Sequence, residues 1–526
     1  METIVGLDLP PGISSNGTRY SNRNRWVNSS LVRFHEGSIR PVGGWVLNRD
    51  TNGGDLHVVG TPRGSLGWRD NTSTAWITVG TTGTPSKLYA LNLGVLTDIT
   101  PVGLVNGIAD GSLQSGGPYG AGLYGGGLYG VSGSTSAYIT ADTWSLDNFG
   151  QILIACLTAD GKIYESTAPA VAVAVTNAPT GCRAVVVTGE RFIFALGASG
   201  DPRLVAWCSQ GNRTLWAPAV GNSAGSFPLQ TQGRLVAGAA TARETLLWTD
   251  ADLWGASYIG GTLIYRFDQR GDNCGLIGPN AVTIADGSAY WMGDGQFYNY
   301  AGAVRVIPCP VREAVFGNLS ATQRAKIQAI PIPSFSEVWW FYPSNTQSGT
   351  ENDSYVCYNY RAGIWMVGSL ARASGIGAGV FTNPQLWTSD GYLYTHESGT
   401  DKGGLVPFLE SGPLEIGDGE DVLRVQSLIP DELSLGDVTA KFFASFQPEA
   451  GETTYGPYQL SAKTDVRLSG RQVRIRFEEN NIITGLRWDS SLVTWDSAVT
   501  MDAAPGGGVD WRIGRFRLGV LKGGKR

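Results

Sequence analysis

Trp291-Met292-Gly293-Asp294-Gly295-Gln296-Phe297-Tyr298 and Trp387-Thr388-Ser389-Asp390-Gly391-Tyr392-Leu393-Tyr394 share one pattern, W-x-x-D-G-x-(F/L)-Y. An aromatic strand end, an Asp-Gly reversal and an aromatic strand start make a β-hairpin. Asp tolerates the left-handed region and Gly occupies it freely, so Asp294-Gly295 and Asp390-Gly391 supply the structural turns. Weaker relatives stand at Asp160-Gly161 and Asp286-Gly287, and a shortened form at Trp248-Thr249-Asp250-Ala251-Asp252-Leu253-Trp254. Hairpins of one design, reused over hundreds of residues, predict an all-β fold built blade by blade, a β-propeller.

The composition agrees. Glycine supplies 73 of 526 residues, and charged residues make up 16% of the chain, against about a quarter in an ordinary globular protein. Trp (17) and Tyr (20) are abundant, which suits short twisted strands and surfaces buried against other subunits and argues against intrinsic disorder. A net charge of −6 excludes a nucleic-acid-binding chain of the basic kind. The six cysteines are widely spaced without C-x-x-C, and there are three histidines, so neither a metal site nor a disulfide framework is expected. No secretion signal or membrane-spanning run is read from the sequence, and synthesis in a reducing cytoplasm is expected.

Along the chain, residues 1–45 interleave basic and aromatic residues, including Arg25, Trp26, Arg33 and Phe34. This reads as an extended docking arm ordered by a partner, because its few apolar residues cannot offset their own ordering. Residues 46–405 carry short strand-like runs bounded by Gly, Pro, Asn or Asp, and are assigned to the propeller with loop insertions. Phe335–Tyr342 is continuously apolar, as a strand buried on both faces should be. One short helix is expected near 319–328, where Ser320 and Gln323 have capping-box spacing. From 406 to 526 strands alternate cleanly and predict a C-terminal antiparallel β-sandwich or sheet. Val473, Ile475 and Phe477 face one side, and Phe516, Leu518 and Val520 alternate with Arg515 and Arg517.

Three pentads between Gly117 and Val131 place Tyr119, Tyr124 and Tyr129 five residues apart. They read either as an exposed loop or as an aromatic loop ordered by a neighbouring subunit, a role that Tyr suits through large contact area at low entropic cost. Arg471, Arg474, Arg476, Arg515 and Arg517 form a candidate basic face, for nucleic-acid backbone or an acidic partner, or else the solvated side of a sheet. No nucleophile elbow, zinc-binding helix, phosphate loop or dinucleotide fingerprint stands in a fitting context. Pairs such as Asp250/Asp252 and Glu478/Glu479 would serve a glycosidase only if they converged in one pocket. No cofactor and no enzymatic activity are expected.

Several segments resemble the tail nozzle (tail tubular protein B) family of short-tailed bacteriophages, which is related to phage DNA-stabilisation hub proteins. They are Gly12-Ile13-Ser14, Trp26-Val27-Asn28, Leu31-Val32-Arg33-Phe34 and Gly37-Ser38-Ile39-Arg40-Pro41, then Trp144–Gln151 and Leu247–Asp250. Ser469–Arg476 and Trp511–Gly514 complete the set. The resemblance implies a structural virion protein, a propeller-containing subunit of a homohexameric ring. That ring would lie below the portal and adaptor, continue the channel through which double-stranded DNA is ejected, and anchor tail fibres or spikes. An acidic subunit would let DNA slide without sticking. The runner-up is a glycan-binding or glycan-degrading propeller acting as a receptor-binding tail component.

Overall fold

The computed structural model describes residues 3–115, 136–261, 263–347, 349–414, 421–430, 438–447, 451–460, 462–480 and 510–525. Its contacts divide them between two compact units. One joins residues 47–363 to 369–395, and the other joins 1–46 and 364–368 to 396–526.

The first unit is a succession of four-stranded antiparallel sheets, as its alternating turn and strand signals predict. Five of the seven sheets lie wholly within this unit and take their four strands in chain order, and the other two are represented in it by three successive strands each. Their first strands are Thr61–Arg69, Trp144–Phe149, Ala184–Val187, Leu235–Ala240, Val282–Ala285, Gln328–Ile332 and Ser374–Ile376. First strands of neighbouring sheets lie side by side at six of the seven junctions, and the set closes where Ser374–Ile376 meets Thr61–Arg69. This is a β-propeller of seven blades. Side-chain bonds reinforce the closure: Ser145 Oγ bonds both the N–H and the C=O of Val185 at 3.0 Å, and Ser65 Oγ meets Ser374 Oγ at 2.9 Å. Where first strands approach most closely only glycine fits. A Cβ on Gly64 would sit 2.5 Å from the Trp144 carbonyl oxygen.

The second strands of blades four to seven each bury a tryptophan: Trp248, Trp291, Trp340 and Trp387, each 0% exposed. They recur at a period of roughly 45 residues, the length of a repeated blade. Burying each removes about 200 Å² from water, on the order of 5 kcal/mol of transfer free energy. The Nε1 groups of Trp291 and Trp340 donate to the carbonyls of Cys274 and Ala281, in the segments that enter blade five. The strand expected from the run at 335–342 is Glu337–Pro343, buried at every position.

Both W-x-x-D-G segments are hairpin reversals. Gly295 (φ +80°) and Gly391 (φ +88°) are left-handed whereas their aspartates are not; at Asp286-Gly287 both residues are, at +48° and +73°. The extra residues in W-x-x-D-G lengthen the loop, so only the glycine has to reverse the chain. The two-residue loop between Ala285 and Ser288 needs the full left-handed pair.

The expected helix at 319–328 is displaced. The one α-helix among the described residues is Arg312–Asn318, and Arg324–Lys326 forms a 3₁₀ turn. The Gln323 amide reaches Gly111, accepting from its N–H (2.9 Å) and donating to its C=O (2.7 Å), and so does not return to cap its own turn.

The second unit is a sandwich of two antiparallel sheets. Thr3–Leu7, Phe516–Lys525, Asp421–Ile429 and Thr464–Gly470 make one sheet. Trp26–Ser30, Phe408–Ser411, Gln472–Glu479, Val438–Ser445 and Thr453–Gln459 make the other. Val473, Ile475, Phe477, Phe516, Leu518 and Val520 are buried, as their alternation predicts. The Phe477 and Phe516 rings meet edge-on at 5.2 Å.

The first 45 residues are therefore not a free arm. Thr3–Leu7 and Trp26–Ser30 are strands of the two sheets, and Val32–His35 pairs with Ser38–Pro41. Their own chain supplies the apolar partners that the arm reading assigned to another protein.

Candidate functional site

Charge is scarce in this chain, so places where it gathers are informative. The densest gathering in the propeller starts at Arg63, displaced by a β-bulge between Pro62 and Gly64 in the first strand of blade one. Its guanidinium is 1% exposed and binds Glu351 in fork fashion, Nη1 to Oε2 at 2.9 Å and Nη2 to Oε1 at 2.5 Å. Lys326, on the 3₁₀ turn and 0% exposed, donates to Glu351 Oε1 (2.9 Å), Asp110 Oδ1 (2.6 Å) and the Thr350 carbonyl (2.5 Å). Two enclosed cations thus share two carboxylates, which is the condition for keeping buried charge. Asp110 and Gly111 lead into Ser112–Ser115, which pairs with Ser136–Ile139. The Lys326–Asp110 and Gln323–Gly111 bonds therefore fasten the base of a two-stranded ribbon inserted between blades one and two. Tyr119, Tyr124 and Tyr129, between the ribbon's strands in sequence, lie outside the described residues.

Two clefts open at blade junctions. The one between blades four and five has a volume of about 560 Å³ and is lined by Arg243, Glu244, Arg270 and Tyr300 among others. Arg270 holds Glu244 Oε2 through Nε (3.0 Å) and Nη2 (2.7 Å), and the Tyr300 hydroxyl donates to Oε1 at 2.5 Å. Burial, then the adjacent Glu244, pushes the Tyr300 hydroxyl up to about 12. The cleft between blades three and four, about 640 Å³, is lined by Pro202, Arg203, Thr231, Gln232, Arg234 and Asp250. Arg234 Nε lies 2.9 Å from Asp250 Oδ2, and Arg203 Nε lies 3.6 Å from Asp201 Oδ1.

Neither cleft is lined by the two carboxylates that glycoside hydrolysis requires. Asp250 is paired with Arg234, while the buried Asp252 accepts from Thr231 Oγ1 at 2.6 Å. Glu478 and Glu479 diverge in the sandwich, the former toward Arg476 and Lys441 and the latter toward Lys402. Among the described residues no group of three His, Cys, Asp or Glu side chains could hold a metal ion, and no helix is long and apolar enough to cross a membrane.

The predicted interface and basic residues are placed as follows. Arg25 is exposed, but Trp26, Arg33 and Phe34 are buried within the sandwich unit at 3%, 1% and 8% exposure. Arg33 forks onto Glu397 at 2.9 and 2.6 Å. These three side chains hold the unit's own interior together and do not present a partner surface, which corrects the sequence reading. The basic face is likewise largely neutralised. Arg474 binds Glu410 and Glu452, and Arg476 binds Glu478 and packs over the Phe408 ring at 3.8 Å. Arg515 is exposed and meets Asp8 at 2.7 Å, Arg517 is exposed, and Arg471 is half-buried. The turn residues Asp294, Gly295, Asp390 and Gly391 lie in hairpin loops.

Sequence reasoning missed Arg63, Lys326, Glu351, Arg203 and Arg234. Arg63 left one readable trace, a lone cation in a run of small and apolar residues. In so uncharged a chain, such a residue implies a buried counter-ion.

No family model matches the chain, and no curated protein matches it. Similar solved structures include virginiamycin B lyase from Staphylococcus aureus, at 9% identity and a TM-score of 0.39, covering 67% of this chain and 98% of that one. The WD40 domain of Neurospora crassa Pan2 gives 10% and 0.37, covering 69% and 96%. The exo-β-1,3-galactanase of Phanerochaete chrysosporium gives 10% and 0.28, covering 91% and 100%. The propeller assignment rests on the sheet topology described above.

Proposed function

We propose that the chain is a structural virion protein without enzymatic activity, a tail nozzle subunit. Its copies form a homohexameric ring that continues the DNA ejection channel below the portal and adaptor and anchors fibres or spikes. The observation that carries this reading is the apolar outer margin of blades one and two. Val102, Val105, Ile108, Val171 and Val173 are 95%, 50%, 46%, 51% and 57% exposed. The two blades are tied there by a bond from the Ala172 N–H to the Ile99 carbonyl (2.9 Å). A margin with this many exposed apolar side chains suits a permanent subunit interface. The resemblance of the segments around Trp26, Trp144 and Ser469 to nozzle proteins supports the same reading. So do clefts in which the carboxylates are tied to arginines.

The runner-up, a glycan-degrading receptor-binding propeller, lacks a second carboxylate in either cleft; its glycan-binding form requires only recognition. Native mass spectrometry and negative-stain imaging of the purified chain test the main proposal. A six-copy ring with a central hole is expected. A strict monomer at micromolar concentration that also fails to assemble on portal–adaptor particles overturns it. Val102→Asp with Val173→Asp should abolish the ring and leave the fold intact by circular dichroism.

A further inference from the structure

The two blade-junction clefts differ in what their cations are committed to. Between blades four and five, Arg270 spends Nε and Nη2 on Glu244, and Tyr300 closes the other carboxylate oxygen. That charge set is complete. Between blades three and four, Arg203 and Arg234 each approach a carboxylate through Nε. Among the described residues, neither makes a hydrogen bond through Nη1 or Nη2. The two side chains are 46% and 53% exposed, and both line the cleft.

The loops that set them there are held by backbone hydrogen bonds. The Leu235 N–H bonds the Pro202 carbonyl (2.8 Å) and the Leu229 N–H bonds the Arg203 carbonyl (3.0 Å), joining the two rims. The Arg234 N–H donates to Asp250 Oδ1 at 2.8 Å. A third cation stands near: the stem of Arg183 lies over Gly197, whose Cβ would meet Arg183 Cγ at 3.3 Å. The Arg183 guanidinium is held below the usual arginine range, first by burial and then by the neighbouring Arg234 charge. Asp250 and Asp142 act on Arg183 in the opposite sense, so three guanidiniums stand against three carboxylates, and what an anion would find here is the unfilled edges of Arg203 and Arg234 and not a net charge.

We infer that this cleft binds a saccharide carrying an oxyanion, a phosphate or a carboxylate, with the anion on the free guanidinium edges of Arg203 and Arg234. Planar terminal N–H pairs match such oxyanions. The volume of about 640 Å³ fits one or two sugar rings. The exposed Gln232 side chain offers a partner for sugar hydroxyls, and Pro202 offers an apolar wall. Double-stranded DNA is disfavoured as the ligand. Its backbone presents a line of phosphates, which a stripe of cations would follow, whereas here Asp201 and Asp250 flank the arginines and repel any second phosphate. The inference is independent of the ring proposal, since one blade junction builds the whole site.

The test is a titration of the full chain by isothermal calorimetry and by ¹⁵N–¹H NMR. The probes are a glucuronate disaccharide, glucose 6-phosphate, the uncharged counterparts of both and a short DNA duplex. Saturable binding of one or both anionic sugars is expected, with a Kd on the order of a millimolar, together with no measurable binding of the neutral counterparts. Arg203→Gln with Arg234→Gln should weaken binding at least about tenfold, the loss of two charge-assisted contacts. Glu244→Gln, in the other cleft, should leave it unchanged. Which anionic sugar binds more tightly identifies the oxyanion. Equal binding of neutral sugars, no binding of either anionic sugar, or unchanged affinity in the double variant would overturn the inference. Displacement of the sugars by the duplex would overturn it in favour of nucleic acid. A monomeric chain that still binds sugar would refute the ring and leave this site standing.

Discussion

Replacing Glu351 with Gln tests whether the buried charge cluster stabilises the propeller. The change keeps side-chain volume and one amide oxygen for Arg63, and removes only the charge. What remains is two cations at 1% and 0% exposure facing Asp110, which is 61% exposed. At a separation of 2.9 Å and an effective dielectric constant of about 20, each lost pair carries ~6 kcal/mol of Coulomb attraction. Most of that is offset, because Glu351 itself no longer has to be desolvated and its amide replacement still accepts a hydrogen bond. The net cost expected for stranding a buried cation is about 3–5 kcal/mol. For a unit of this size that corresponds to a fall in Tm of roughly 4–7 °C. The assay is thermal unfolding followed by near-ultraviolet circular dichroism, where the buried tryptophans report tertiary packing. Arg63→Met in the same chain should restore part of the loss, since it removes the stranded cation. A fall below about 2 °C, or a double variant that loses the sum of the two single changes, would refute the reasoning.

Three further outcomes follow from particular contacts. Gly391→Ala should destabilise by about 2–4 kcal/mol, because its Cβ would lie 2.3 Å from the Val58 carbonyl oxygen at a left-handed φ. Gly295→Ala, with nothing within 4 Å of its Cβ, should cost only about 1 kcal/mol, and chemical denaturation of the two variants reads the difference. The Asp147 carboxyl, enclosed beside the Val187 and Asn148 N–H groups it accepts from, is pushed up to about 6 by burial. The folded state therefore holds a proton that the unfolded state has released between pH ~4 and ~6, so parent stability should fall through that window by up to about 3 kcal/mol. Asp147→Asn should flatten this slope in urea titrations at pH 4, 5, 6 and 7, and an unchanged slope would contradict the assignment. Gln323→Ala should speed amide exchange at Gly111 and into Ser112–Ser115 by about tenfold or more, since both bonds at the ribbon base are lost.

The propeller was legible because its signal is local. An aromatic, a turn and another aromatic lie within eight residues, and Trp291 and Trp387 of blades five and seven head that unit, with a shortened form at Trp248 in blade four. Blade three, from Ala184 to Pro228, carries no Asp-Gly turn, so no motif count could reach seven. The sandwich strands were legible for the same reason, with burial alternating in the order read at 472–479 and at 515–518. The N-terminal segment was misread because its ordering partners are distant in sequence: Arg33 is neutralised by Glu397, 364 residues away. Apart from that partner, an arginine between Val32 and Phe34 reads as a solvated charge. The capping-box spacing at Ser320 and Gln323 failed in a similar way, since a glutamine serves a distant backbone as readily as its own turn. The clefts left still less trace, because Arg203 and Arg234 come from separate loops that only blade packing brings together.

Those loops also show where such a chain keeps its capacity for recognition. The ring is held by contacts that leave little freedom: hydroxyl and carboxylate clamps between first strands, and glycines at the closest approaches. A change there costs stability before it alters any surface. The loops between blades carry no such burden, and the charge pattern divides accordingly. Arg63, Lys326, Arg33, Arg270 and Arg474 each face carboxylates at hydrogen-bonding distance, so their charges are absorbed by the fold. With 39 basic residues against 45 acidic ones, a guanidinium pair with free edges in a concave site stands against the chain's own charge balance. Structural need accounts for only part of Arg203 and Arg234, because each turns Nε alone toward its carboxylate. A ligand accounts for the rest, which makes the junction of blades three and four the place where this propeller would recognise something.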